Sequence, residues 1–84
     1  MKETKQEVEN AIIKVGESLN IGDQVQILLK NIGIYSTIKE VVYKAFVDNV
    51  TDYFEKDYDT FMGYQIIRRY CKEMATNGEV VFNN

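Results

Sequence analysis

Residues 52–78 read DYFEKDYDTFMGYQIIRRYCKEMATNG. Phe54, Tyr58, Phe61, Met62, Ile66, Tyr70 and Met74 recur at helical spacing along this stretch. The pattern predicts one long amphipathic helix with aromatics on its apolar side, closed at Asn77-Gly78. Such a stripe has to be covered, either by the rest of the chain or by a partner. Its start is open between two signals, Thr51 or Asp52 as an early cap and Asp59 or Thr60 as a later one.

Upstream, Ile38, Val41, Val42, Ala45 and Phe46 predict a second helix, and Thr37-Ile38-Lys39-Glu40 has the form of a capping box that would start it. Residues 34–36 would then cross from the preceding segment. That segment, residues 24–32, supports two readings. Val25, Leu28, Leu29 and Ile32 form a helical face, stopped by Asn31 to Gly33, whereas Val25, Ile27 and Leu29 form a strand face. Nearer the N-terminus, Val8, Ala11, Ile12, Val15 and Leu19 predict a helix over residues 3–19 with a frayed start. Asn20 to Gly22 break it, and Asp23 is a candidate cap for the segment after the break. Glu79-Val80-Val81-Phe82 is short and β-prone. The fold class is therefore mainly α, a compact domain of three or four helices. A short C-terminal β-strand is an option, pairing with residues 25–29 or with a second subunit. The core is expected to draw on Val8, Ile12, Val15 and Leu19, on Leu28, Leu29 and Ile32, on Val42 and Phe46, and on Phe61, Ile66, Tyr70 and Met74.

The 84 residues suit a single domain spanning 1–84, with a thin core. Apolar residues make up 45% and charged residues 27%, which is ordinary for a globular chain and argues against disorder. No apolar run is long enough for a membrane span or a secretory leader. The lysine- and glutamate-rich start after Met1 gives the expectation of a complete cytoplasmic chain. Cys71 is the single cysteine, so no internal disulfide staples the fold. A homodimer, which enlarges a small core by sharing it, is the expected assembly. Proline is absent, and nothing forces a kink.

Catalytic chemistry finds little to work with. Histidine is absent, which removes the usual proton shuttle and the commonest transition-metal ligand. Cys71 has no histidine to activate it and falls on the apolar side with Ile67, Tyr70 and Met74, so an inert thiol is expected. A calcium loop starting at Asp48, Asp52 or Asp57 fails in every register, because apolar or basic residues fall on ligand positions. The five glycines are dispersed and form no phosphate cradle. The expectation is a protein that is not an enzyme and needs no cofactor or metal, a small carboxylate-dependent enzyme being the weakest alternative.

Charge is what remains. The net charge is −3, and it is unevenly spread. Asp48, Asp52, Glu55, Asp57 and Asp59 stand against Lys56 alone, with Tyr53 and Tyr58 among them. An acidic helix start is favoured by the helix dipole and needs no further purpose. Tyrosines among acids also suit protein contact. The functional expectation is thus a small interaction, regulatory or inhibitor-like protein using Asp48, Asp52, Tyr53, Glu55, Asp57, Tyr58 and Asp59. The alternative is a helix-turn-helix-like nucleic-acid regulator using Lys39, Lys44, Arg68, Arg69 and Lys72. The acidic net charge disfavours it, since phosphate contacts supply much of nucleic-acid affinity.

Overall fold

Thr4 starts the first helix. Its hydroxyl accepts from the Glu7 amide at 3.1 Å, and Glu7 Oε1 accepts from the Thr4 amide at 3.2 Å. This reciprocal capping box fixes the entry to α1 (Lys5–Ser18). Two orphan amides are thereby satisfied before the first turn is complete. The computed structural model of the chain describes residues 3–47, 57–80 and 82.

α1 ends in a tight reversal. Asn20 takes φ 62, its amide donates to the Glu17 carbonyl at 3.0 Å, and the Ile21 amide donates to the Gly16 carbonyl at 2.9 Å. This is a Schellman closure with asparagine in the left-handed position. α2 (Gly22–Val47) begins at once, leaving Asp23 inside its first turn rather than at its cap. Residues 24–32 are therefore helical. Since residues 25–29 lie inside α2, they offer no strand for the C-terminal run to pair with, and that option is corrected. No strand occurs among the described residues.

Gly33 breaks α2 into two arms. Its φ of 86° and ψ of 176° lie in a region that only glycine occupies without strain. The stop read at Asn31 to Gly33 is present, but the helix resumes at residue 34, with no crossing segment. The capping box read at Thr37 is corrected for the same reason. Thr37 is already inside the second arm, and its fully buried hydroxyl donates to the Gly33 carbonyl at 2.6 Å. It donates to a carbonyl at the break instead of accepting from an orphan amide.

α3 (Tyr58–Asn77) is capped by Asp57, which is extended at φ −121° and ψ 111°. One continuous helix from Asp52 to Gly78 is thus corrected, and the caps read at Thr51 and Asp52 lie outside the described residues. Gly78, left-handed at φ 72°, closes α3 by donating to the Met74 carbonyl at 2.8 Å.

α1 lies between the other two helices and packs against both. Val8, Ala11, Ile12, Val15 and Leu19 are buried along it, matching the predicted stripe. α2 contributes Val25 from its first arm and Ile38, Val41 and Ala45 from its second; α3 contributes Ile67 and Tyr70. Each fully buried aliphatic side chain is worth about 1.5–3 kcal/mol. Several expected core residues are displaced. Ile32 and Val42 are exposed, Leu28, Leu29, Phe61, Ile66 and Met74 are half-buried, and the Phe46 side chain is outside the description.

The reason is close packing. The α3 stripe that faces inward is Thr60, Gly63, Ile67 and Tyr70. A Cβ on Gly63 would lie 3.2 Å from the Ala11 carbonyl oxygen, so small residues occupy the crossing with α1. Gly16 does the same for the first arm of α2, where an added Cβ would lie 2.6 Å from Val25 Cγ2. The Phe82 ring stacks on Tyr70 with centroids 6.1 Å apart, and Val80 also packs on the core, so the tail covers α3 without being a strand at the described positions. No helix of the described residues is long and apolar enough to cross a membrane.

Candidate functional site

The second arm of α2 carries more apolar surface than one seam can use. Ile34, Ile38, Val41 and Ala45 face the core. Tyr35, Val42 and Tyr43 form a second stripe beside it, with Val42 41% and Tyr43 68% exposed. A helix apolar over so wide an arc either sits in a larger core or serves a binding surface.

That second stripe walls a groove of about 540 Å³. Tyr35, Ile38, Val42 and Tyr43 line one side, and Cys71, Met74 and Ala75 of α3 line the other. The groove arises because α2 and α3 both pack on α1 and leave a furrow between themselves. Its volume is within the range of small-molecule and peptide-anchor sites. Among the described residues Lys39 is the sole charged residue lining it, and its ammonium lies 4.6 Å from the centre of the Tyr35 ring, a cation–π contact.

The thiol in the groove is a poor nucleophile. Partial burial pushes the Cys71 thiol above its ordinary pKa, so little thiolate forms near neutral pH. Burial also raises the Tyr70 phenol, with smaller contributions from neighbouring Cys71 and Tyr35. A neutral Cys71 keeps its part of the groove wall apolar. The spacing placed Cys71 on the apolar side of α3, where it is half-buried.

Of the acidic face, Asp57, Tyr58 and Asp59 are described. Asp48, Asp52, Tyr53 and Glu55 lie outside the described residues. Asp57 is occupied as the cap of α3: its carboxylate accepts from the Asp59 amide at 3.1 Å and from the Thr60 hydroxyl at 2.8 Å. Thr60 is fully buried and lies 2.7 Å from Ser18 Oγ. Thr60 has one hydroxyl proton and gives it to Asp57, so Ser18 donates to Thr60. This chain ties the end of α1 to the start of α3. Asp59 is exposed, and Tyr58 is 74% exposed.

The candidate nucleic-acid contacts are divided between α2 and α3. Lys39 lines the groove, and Lys44 is in the last turn of α2. Arg69 points toward the N-terminal end of α1, where Nε bonds Glu3 Oε1 at 2.8 Å and Nη2 bonds the same oxygen. Arg68 and Lys72 are exposed on α3. Among the described residues no cluster of three or more cysteine, aspartate or glutamate side chains is placed to hold a metal ion.

Sequence reasoning missed the groove. The signal was present in Tyr35, Lys39, Val42 and Tyr43, spaced by four, three and one beside the core stripe. No protein-family model matches the chain, and no curated protein or solved structure matches it either.

Proposed function

We propose that this protein acts without catalysis, as a small regulatory or inhibitor-like module that binds another protein in the cytoplasm. The contact surface is the groove between the second arm of α2 and α3. One observation carries the reading: Tyr35, Val42 and Tyr43 are turned to solvent around an apolar furrow instead of being folded into the core. Exposed apolar surface is costly to keep, and contiguous patches of it mark interaction sites. Tyrosine suits such a site because it adds rigid area with a polar tip. The lack of histidine and the raised thiol pKa of Cys71 support binding over chemistry.

The test uses a neutral double variant, Val42→Gln/Ala75→Gln, which fills and polarises the groove from both walls. Both positions are exposed, so the melting transition should match that of the parent chain. Wild type, this variant and Tyr58→Ala are used as baits in extracts of the native host. The expected result is a partner retained by wild type and Tyr58→Ala and lost by the groove variant. A partner retained equally by the groove variant, or lost only with Tyr58→Ala, overturns the groove as the contact surface. Sedimentation of the three proteins separates self-association from a foreign partner.

A further inference from the structure

The rim of the groove has a sign. Lys39 lines it from α2. On α3, Arg68 precedes Cys71 by three residues and Ala75 by seven, and Lys72 precedes Ala75 by three, so both bases follow the stripe that lines the groove. Both are exposed, and neither forms an ion pair among the described residues. Among the described residues no acidic side chain lines the groove, and by the same spacing a single acid, the exposed Glu40 three residues before Tyr43, flanks it. In a chain of net charge −3, three bases against one acid beside an apolar floor, counted over the described residues, is a local reversal.

We propose, resting on the groove reading above, that the occupant is an amphipathic α-helix of a different protein whose flanks are acidic. Its form follows from the walls. Both are helices whose backbone groups are internally bonded, and no sheet edge exists among the described residues. An extended peptide would therefore gain no ladder hydrogen bonds here, whereas a helix satisfies its own backbone and contributes apolar side chains. The length agrees. Tyr35 to Val42 spans seven residues, about 10 Å of helix, which matches anchors at i, i+3 or i+4, and i+7 on the occupant. The charge follows from Lys39, Arg68 and Lys72, which attract carboxylates on either side of such anchors. The same three bases argue against a second copy of this chain. A two-fold interface over the groove would bring like charges together.

A displayed library of helical peptides tests this. Leucines are fixed at i, i+3 and i+7, and the flanking positions are randomised among acidic, basic and neutral residues. Selection runs in parallel on the full-length protein and on Val42→Gln/Ala75→Gln, after circular dichroism has shown that both are folded. The expected winners are enriched on wild type alone and carry Asp or Glu on the flanks. Their affinity should fall about fivefold or more between 50 and 300 mM salt. It should fall about tenfold or more in Lys39→Glu/Arg68→Glu, which should in turn accept basic-flanked peptides. Winners specific to wild type but neutral or basic overturn the acidic helix and leave the groove reading standing. Winners indifferent to the groove variant overturn both. No enrichment on either protein overturns the helical occupant. A wild-type dimer in sedimentation that the groove variant dissolves also overturns it, in favour of a second copy.

Discussion

At Asp57 a single carboxylate does three structural jobs. It caps α3, accepts the Thr60 proton and thereby orders Ser18 at the end of α1. The Thr60 hydroxyl bond is the largest influence holding its pKa below the usual 3.8. A depressed carboxylate stabilises the fold above its unfolded pKa, and that contribution disappears as pH falls through the lower, folded value. Stability should therefore drop below about pH 4, and Asp57→Asn should flatten that acid limb in urea titrations across pH 2–7. A limb of unchanged steepness in the variant would assign the acid sensitivity elsewhere. Gly16 gives a second prediction at this scale. Alanine normally improves a helix over glycine by about 1 kcal/mol. Here the new methyl would meet Val25 Cγ2 at 2.6 Å, and Val25 is fully buried. Overpacking costs about 1–3 kcal/mol, so Gly16→Ala should lower stability on balance. Val25→Ala placed in the same chain should cost less than it does alone, a coupling read by a double-mutant cycle.

Among the elements, α1 was the most legible in the sequence, because its buried positions are aliphatic and evenly spaced. α3 was legible in existence and in its stop at Asn77-Gly78, but its inward face was misread. Large residues were sought there, while Thr60 and Gly63 hold the crossing because the α1 backbone approaches too closely for anything larger. The second arm of α2 was misread by a similar step. The Thr37-x-x-Glu40 pattern reads as a helix cap, whereas Thr37 is buried and bonded to Gly33. A Thr-x-x-Glu pattern occurs at both Thr4 and Thr37 in the sequence, and only the surroundings decide which one caps. The break itself rests on Gly33. With φ at 86° and no neighbouring atom within 4 Å of an added Cβ, the cost of Gly33→Ala is purely conformational. We expect a loss of about 1–3 kcal/mol by chemical denaturation. Equal stability of the alanine variant and the parent would mean that the two arms join differently.

The molecule as a whole is organised around α1, and that arrangement creates the groove. Two helices that each pack on a third, and scarcely on each other, leave a furrow that their own side chains must either fill or line. Periodicity reports which residues are apolar but not which apolar stripe a neighbouring helix will reach, so Val42 was placed in the core and Tyr35 and Tyr43 drew no notice. The acidic segment drew attention because charge is conspicuous in a sequence, while a surplus of apolar arc is not. The architecture also makes a statement about cooperativity. Ile12 is wholly buried on the helix that both others use, so it is part of both helix–helix interfaces or of the core between them. Truncating it to alanine should cost about 2–5 kcal/mol. A domain of this kind holds roughly 0.05–0.15 kcal/mol per residue, so Ile12→Ala removes a large share of the total. Because α2 and α3 depend on α1 rather than on each other, neither retains a core without it. Unfolding of this variant should therefore remain a single transition at a lower urea midpoint, with helical dichroism and exposure of the half-buried Cys71 to alkylation changing together. Val42→Gln/Ala75→Gln, which touches only the groove walls, should change stability by no more than about 0.5 kcal/mol. If alkylation of Cys71 in Ile12→Ala precedes the loss of helix, α3 holds to the domain less tightly than its packing on α1 implies.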